Sequence, residues 1–137
     1  MTQVKLPAPS VTHSWGPAQE TILQNILGVA IFDCNGLPKE YYITADHDET
    51  NWVQMVFQAL GLKLLLSSEL ELGEFEHLLI NASQHVAMVF STTTDYVALL
   101  LREPISFSSL EQTQKLTQWV AYFEAELLRQ QERFIPA

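Results

Sequence analysis

The chain has 137 residues, 47% of them apolar and 17% charged, which is enough to bury a core within one domain and too patterned for a disordered chain. Its formal charge is −9, from sixteen acids against seven Lys and Arg. That balance argues against nucleic acid and anionic membrane, both of which need a basic surface, and leaves a basic-faced protein as the electrostatically favoured partner. Cys34 is the sole cysteine, so no internal disulfide can form. No apolar run approaches the ~20 residues of a membrane span, and the N-terminus lacks the apolar core of a signal peptide. The cytoplasm is the expected compartment.

Residues 1–16 carry Pro7 and Pro9 among Ser and Thr with no period, and read as a flexible tail. A single domain is expected over 17–134. Pro17 suits the first turn of a helix, and Ile22, Leu23 and Ile26 give a short helix over 17–26 a modest apolar face. Leu27 to Asp33 is apolar on both faces and of β type, a buried strand that stops at Cys34-Asn35-Gly36. Asn-Gly signals a hairpin because both residues tolerate positive φ. The return strand is Leu37 to Thr44, and Pro38, with no N–H to donate, places its start at a sheet edge.

Thr50 to Leu66 predicts the central helix, capped by Thr50 or Asn51. Val53, Val56, Phe57, Leu60 and Leu64 form one apolar stripe, as a helix on a sheet requires. Trp52, Met55, Ala59, Leu62 and Leu66 form a second stripe at the alternating steps of a coiled-coil seam. A helix apolar over most of its circumference needs cover on two sides. A loop of the same domain could supply the second cover; in so short a chain we expect another chain to do so.

Three strands follow, Phe75 to Asn81, Val86 to Phe90 and Tyr96 to Arg102. The first alternates loosely and is expected to be an edge that pairs with its own copy. Pro104 ends the sheet. Ser109 to Gln112 fits a capping box, and Leu116, Val120, Phe123 and Leu127 give the last helix a single apolar face flanked by Trp119. The economical solution is an α+β domain: a five-stranded antiparallel sheet with the central helix on one face and the terminal helices on the other.

This order resembles the roadblock, or dynein light chain, family. The residues that carry the resemblance are Ile26 to Asp33 with Asn35-Gly36-Leu37-Pro38, and Leu72 to Ile80 with the two strands after it. The resemblance covers roughly residues 18–125. It implies strand order 2-1-5-4-3 and a non-enzymatic adaptor that dimerises through paired third strands and central helices, many such adaptors binding or regulating Ras-like GTPases. The implied dimer residues are Trp52, Met55, Ala59, Leu62 and Leu66 on the helix and Phe75, His77 and Leu79 on the strand. The short first helix and the proline-bearing tail depart from the family pattern.

Little in the sequence suggests chemistry. Asp46-His47-Asp48-Glu49 is the one local cluster of metal-ligand type, but it lacks the alternation and mid-loop Gly of a calcium loop and reads as acids complementing a helix N-terminus. Cys34 has no activating signature, and an adjacent Asp33 opposes thiolate formation. His77 and His85 stand at strand ends. With no phosphate loop, dinucleotide fingerprint or catalytic triad, no catalytic residue, cofactor or metal is expected. The acids Asp46, Asp48, Glu49, Glu69, Glu71 and Glu74 flank the central helix and suggest a rim that steers a protein partner. The other reading is a small-molecule sensor, with a ligand enclosed between sheet and helix.

Overall fold

The computed structural model describes residues 20–70, 77–82, 84–105 and 110–137. Residues 20–25 are helical (α1) and run straight into β1 (Ile26–Phe32). There follow β2 (Pro38–Ile43), α2 (Asn51–Leu70), β3 (His77–Ala82), β4 (His85–Ser91), β5 (Tyr96–Leu101) and α3 (Leu110–Tyr122). A π-helical turn (Phe123–Leu127), a 3-10 turn (Leu128–Gln130) and a two-residue strand β6 (Ile135–Pro136) complete the chain. The tail expected over 1–16, residues 17–19 of the expected first helix, Phe75 and Ser109 lie outside the described residues.

The sheet runs β3-β4-β5-β1-β2-β6, with every neighbour antiparallel. Its first five strands take the expected order. The sixth corrects the expectation of five. Ile135 and Pro136 are too few to show a period, and proline argues against a strand; at an edge, however, proline only gives up a donor on the side facing solvent. β6 pairs Tyr42 with Pro136 and Ile43 with Ile135, and the Ala137 N–H donates to the Tyr41 carbonyl at 3.0 Å. The start of β2, at Pro38, stays uncovered by it, as Pro38 implies.

Period-two alternation divides the apolar residues between two cores. On one face, Val29, Ile31, Met88, Phe90, Val97, Leu99 and Leu101 pack against Leu23 of α1 and against Leu116, Trp119 and Val120 of α3. On the other, Leu27, Ala30, Phe32, Ala87, Val89, Ala98 and Leu100 lie beneath Trp52, Val53, Val56 and Leu60 of α2. β1 is buried at all seven positions, which explains its unbroken apolar run. Among the described residues, side chains pack into one core on each face of the sheet.

Two local details differ from the sequence expectation. In the first turn the Asp33 carboxylate accepts from the Asn35 N–H at 2.8 Å and the Leu37 N–H at 3.0 Å, and the positive φ (84°) falls at Gly36. The hairpin therefore spans Asp33 to Leu37 and is fixed by an aspartate side chain as well as by glycine. At the end of α3, the Leu128 N–H donates to the Phe123 carbonyl, five residues back. That wider turn shifts the helical register by one. Leu128 takes the fully buried place that spacing assigned to Leu127, which is only partly buried.

Candidate interaction surface

α2 sits on the sheet through one stripe. Val53, Val56 and Leu60 are buried, and Phe57 and Leu64 pack against them. Trp52 joins them and is only 4% exposed. Its spacing of four and eight residues from Val56 and Leu60 carries it onto the inner ridge, and Gly28 leaves room for the ring. Trp52 thus moves from the expected interface stripe into the core of its own domain.

The rest of that stripe is solvent-facing. Met55 is 40% exposed, Leu62 58% and Leu66 41%, with Ala59 half-buried beside them. Leu65, at 57%, belongs to the same outer face and is absent from both sequence stripes. Its place three residues beyond Leu62 is the signal that could have found it. Isolated exposed leucines are ordinary; several on one helix face mark an unpaired surface. Between Asn51 and Leu66 the helix carries a single charged residue, Lys63.

β3 forms one end of the sheet, so its outer backbone groups face away from β4. Leu78 and Ile80 pack on the α2 side, and alternation puts the 53%-exposed Leu79 on the opposite face. The structure therefore does not join Leu79 to the α2 patch; the two flank one sheet edge. His77 opens β3.

The acids divide. Asp46 accepts from Arg102 Nη2 at 3.0 Å and lies 3.9 Å from Arg133 Nη2, an exposed ion pair within the chain. Glu49 accepts from the Asn51 amide at 3.1 Å at the start of α2, while Asp48 is exposed. Glu71 and Glu74 lie outside the described residues. Glu69 lies in the last turn of α2.

The loop before α2 also holds an unforeseen contact. The rings of His47 and His85 meet edge-to-face with centroids 5.3 Å apart, and the Nδ1 atom of each is buried without a hydrogen-bond partner. They line a surface cleft of about 540 Å³ together with Glu49, Trp52, Met55 and Gln84. A second cleft, of about 570 Å³, lies between α1 and the end of β5, by Ile22, Asn25 and Arg102. Leu100, of the core beneath α2, also lines the first cleft. Cys34 is exposed in the first turn.

A six-stranded antiparallel sheet, with one long helix on one face and the terminal helices on the other, is an α+β fold of the kind that MglB has. The structure is similar to that of MglB with a tetrameric arrangement, at 12% identity and a TM-score of 0.51 over 88% of this chain and 95% of that one. It is also similar to the gliding protein MglB from Thermus thermophilus, at 9% identity and a TM-score of 0.49, over 82% and 88% of the two chains. A roadblock/LC7 domain from Streptomyces avermitilis matches at 15% identity and a TM-score of 0.48, over 80% and 92%. Likeness at such identities describes the fold. No family model and no curated protein matches the sequence. Among the described residues no helix is long and apolar enough to cross a membrane.

Proposed function

We propose that this chain is a non-enzymatic, homodimeric adaptor that binds or regulates a small Ras-like GTPase. The observation that carries the reading is the exposed apolar face of α2, formed by Met55, Leu62, Leu65 and Leu66, beside the edge of β3, neither of them covered among the described residues. An edge strand and an apolar helix face are the two features that an obligate partner would cover. Pairing of β3 with its own copy continues the sheet and brings two α2 helices side by side on one face, with Leu79 of each copy on the other. The GTPase assignment follows from the roadblock-type fold and the family resemblance. An acidic protein with Asp48 and Glu49 exposed at the head of α2 suits a basic-faced partner, whose arrival such charges accelerate. Large apolar side chains packed on both faces of the sheet support this reading over an enclosed-ligand sensor.

The test is capture of nucleotide-loaded small GTPases on immobilised wild-type protein and on the Leu62→Asp/Leu65→Asp double variant. The expected result is nucleotide-dependent retention by wild type, weaker at higher salt, and loss of retention by the variant. Equal retention by both would separate partner binding from self-association. If wild type retains no GTPase in any nucleotide state, the assignment falls.

A further inference from the structure

Three described glycines lie in ordered elements or turns, and two have a reason within the chain. A Cβ at Gly28 would meet Trp52 Cζ2 at 2.9 Å, and Gly36 has a φ of 84°. Gly61 has neither. It sits in the interior of α2, it is exposed, and a Cβ built there meets nothing within 4 Å among the described residues. After proline, glycine is the least favourable residue in a helix interior, so the monomer fold alone gives no reason to keep it there. What it creates is a notch on the outer face of α2, bordered by Gln58, Leu62 and Leu65, all exposed.

We propose that Gly61 is the notch through which the α2 helices of two copies make their closest approach, receiving a leucine of the partner helix and setting the crossing geometry of the dimer. This inference rests on the self-association reading above. The occupant is a second copy because of charge. Two copies of a chain with a net charge of −9 repel one another over most of their surface. The outer face of α2 around the notch, Gln54, Met55, Gln58, Gly61, Leu62 and Leu65, carries no charge. It can meet itself without burying like charges, whereas a basic partner would leave its cations unpaired there. A two-fold contact uses the same patch twice, so each notch faces the leucines of the other helix. Without a side chain at position 61, backbones can pack at the close end of the usual ~8–10 Å range of helix separations.

The experiment compares wild type, Gly61→Ala and Gly61→Met by sedimentation equilibrium over a concentration series. Thermal unfolding is measured in parallel at a concentration low enough to keep each protein monomeric. Both replacements are good helix formers with open space in the monomer, so the monomer midpoint should rise by about 3 °C. Self-association should weaken by about tenfold for Ala and more for Met, as overpacking at a close contact predicts. Stabler monomers that associate more weakly support the proposal. Variants that dimerise as tightly as wild type, or tighter, overturn the notch and leave the dimer standing. A lowered monomer midpoint would show that Gly61 serves the fold of its own chain, which also overturns it. A monomeric wild type would defeat the self-association reading itself.

Discussion

Trp52 lies over Gly28: the indole of the first turn of α2 occupies the space where any other residue of β1 would carry a side chain, 2.9 Å from the Cβ position. The contact fixes the N-terminal end of α2 on the sheet. Gly28→Ala should force the ring off its site and destabilise the fold by about 1–3 kcal/mol, as overpacking of a filled core does. Equilibrium denaturation checks this, and an unchanged midpoint would mean that the indole moves freely.

The C-terminal residues act as a strap. Arg133 Nη1 donates to the Leu23 carbonyl at 3.1 Å and to that of Ile26, taking up acceptors where α1 passes into β1. Burial pushes the Arg133 guanidinium below its ordinary range, against the pull of Asp46. Phe134 is buried edge-on against Phe123, with ring centroids 5.5 Å apart. Phe134→Ala should cost about 3 kcal/mol by leaving a cavity, measured by the shift of the denaturation midpoint. Hydrogen exchange in β2 should rise with it, since β6 loses its anchor.

One ion pair gives stability a pH dependence. The Arg129 guanidinium holds the Glu40 carboxyl below its ordinary value of 4.5, with help from the Tyr42 hydroxyl, which donates to it. Burial and the Glu40 charge raise the Tyr42 phenol above 10.0. The Glu40 contribution is therefore complete above pH 4.5 and fades as pH falls through the lowered folded value. The neutral Tyr42 contribution is present below pH 10.0 and is lost as pH rises beyond it. Glu40 and Arg129 are both more than a third exposed, so solvent screening keeps the pair below about 1 kcal/mol. Glu40→Gln should be less stable than wild type at neutral pH and equal to it near pH ~2, in denaturation curves taken across pH.

The strands were legible because they are short apolar runs divided by Asn-Gly, Ser and Thr, and the helix layers could be written from pattern, whereas the order of the five strands across the sheet came from the family resemblance. Patterns failed where one contact decides the outcome. Trp52 fits both stripes by spacing, and Gly28, distant in sequence, makes the room that settles its side. The π turn after α3 exchanges Leu127 for Leu128 with no local signal in residue type. β6 is two residues long and contains proline, and its place follows from Phe134 and Arg133 docking far upstream. The exposed apolar face of α2 was legible in part: Met55, Leu62 and Leu66 were placed on it by spacing, whereas Leu65 was hidden in a run of three leucines. The His47–His85 contact joins residues that no short-range motif links.

The central claim is that α2 pairs with its own copy through its outer apolar face. Sedimentation equilibrium of wild type and of Leu62→Asp/Leu65→Asp, from low to high micromolar concentration, tests it most directly. Both leucines are more than half exposed, so the variant should remain folded by circular dichroism. Burying two unpaired carboxylates at the contact should weaken dimerisation by more than about 3 kcal/mol, beyond a hundredfold. The account predicts a wild-type dimer and a folded, monomeric variant; a wild type that stays monomeric, or a variant that dimerises equally well, would contradict it.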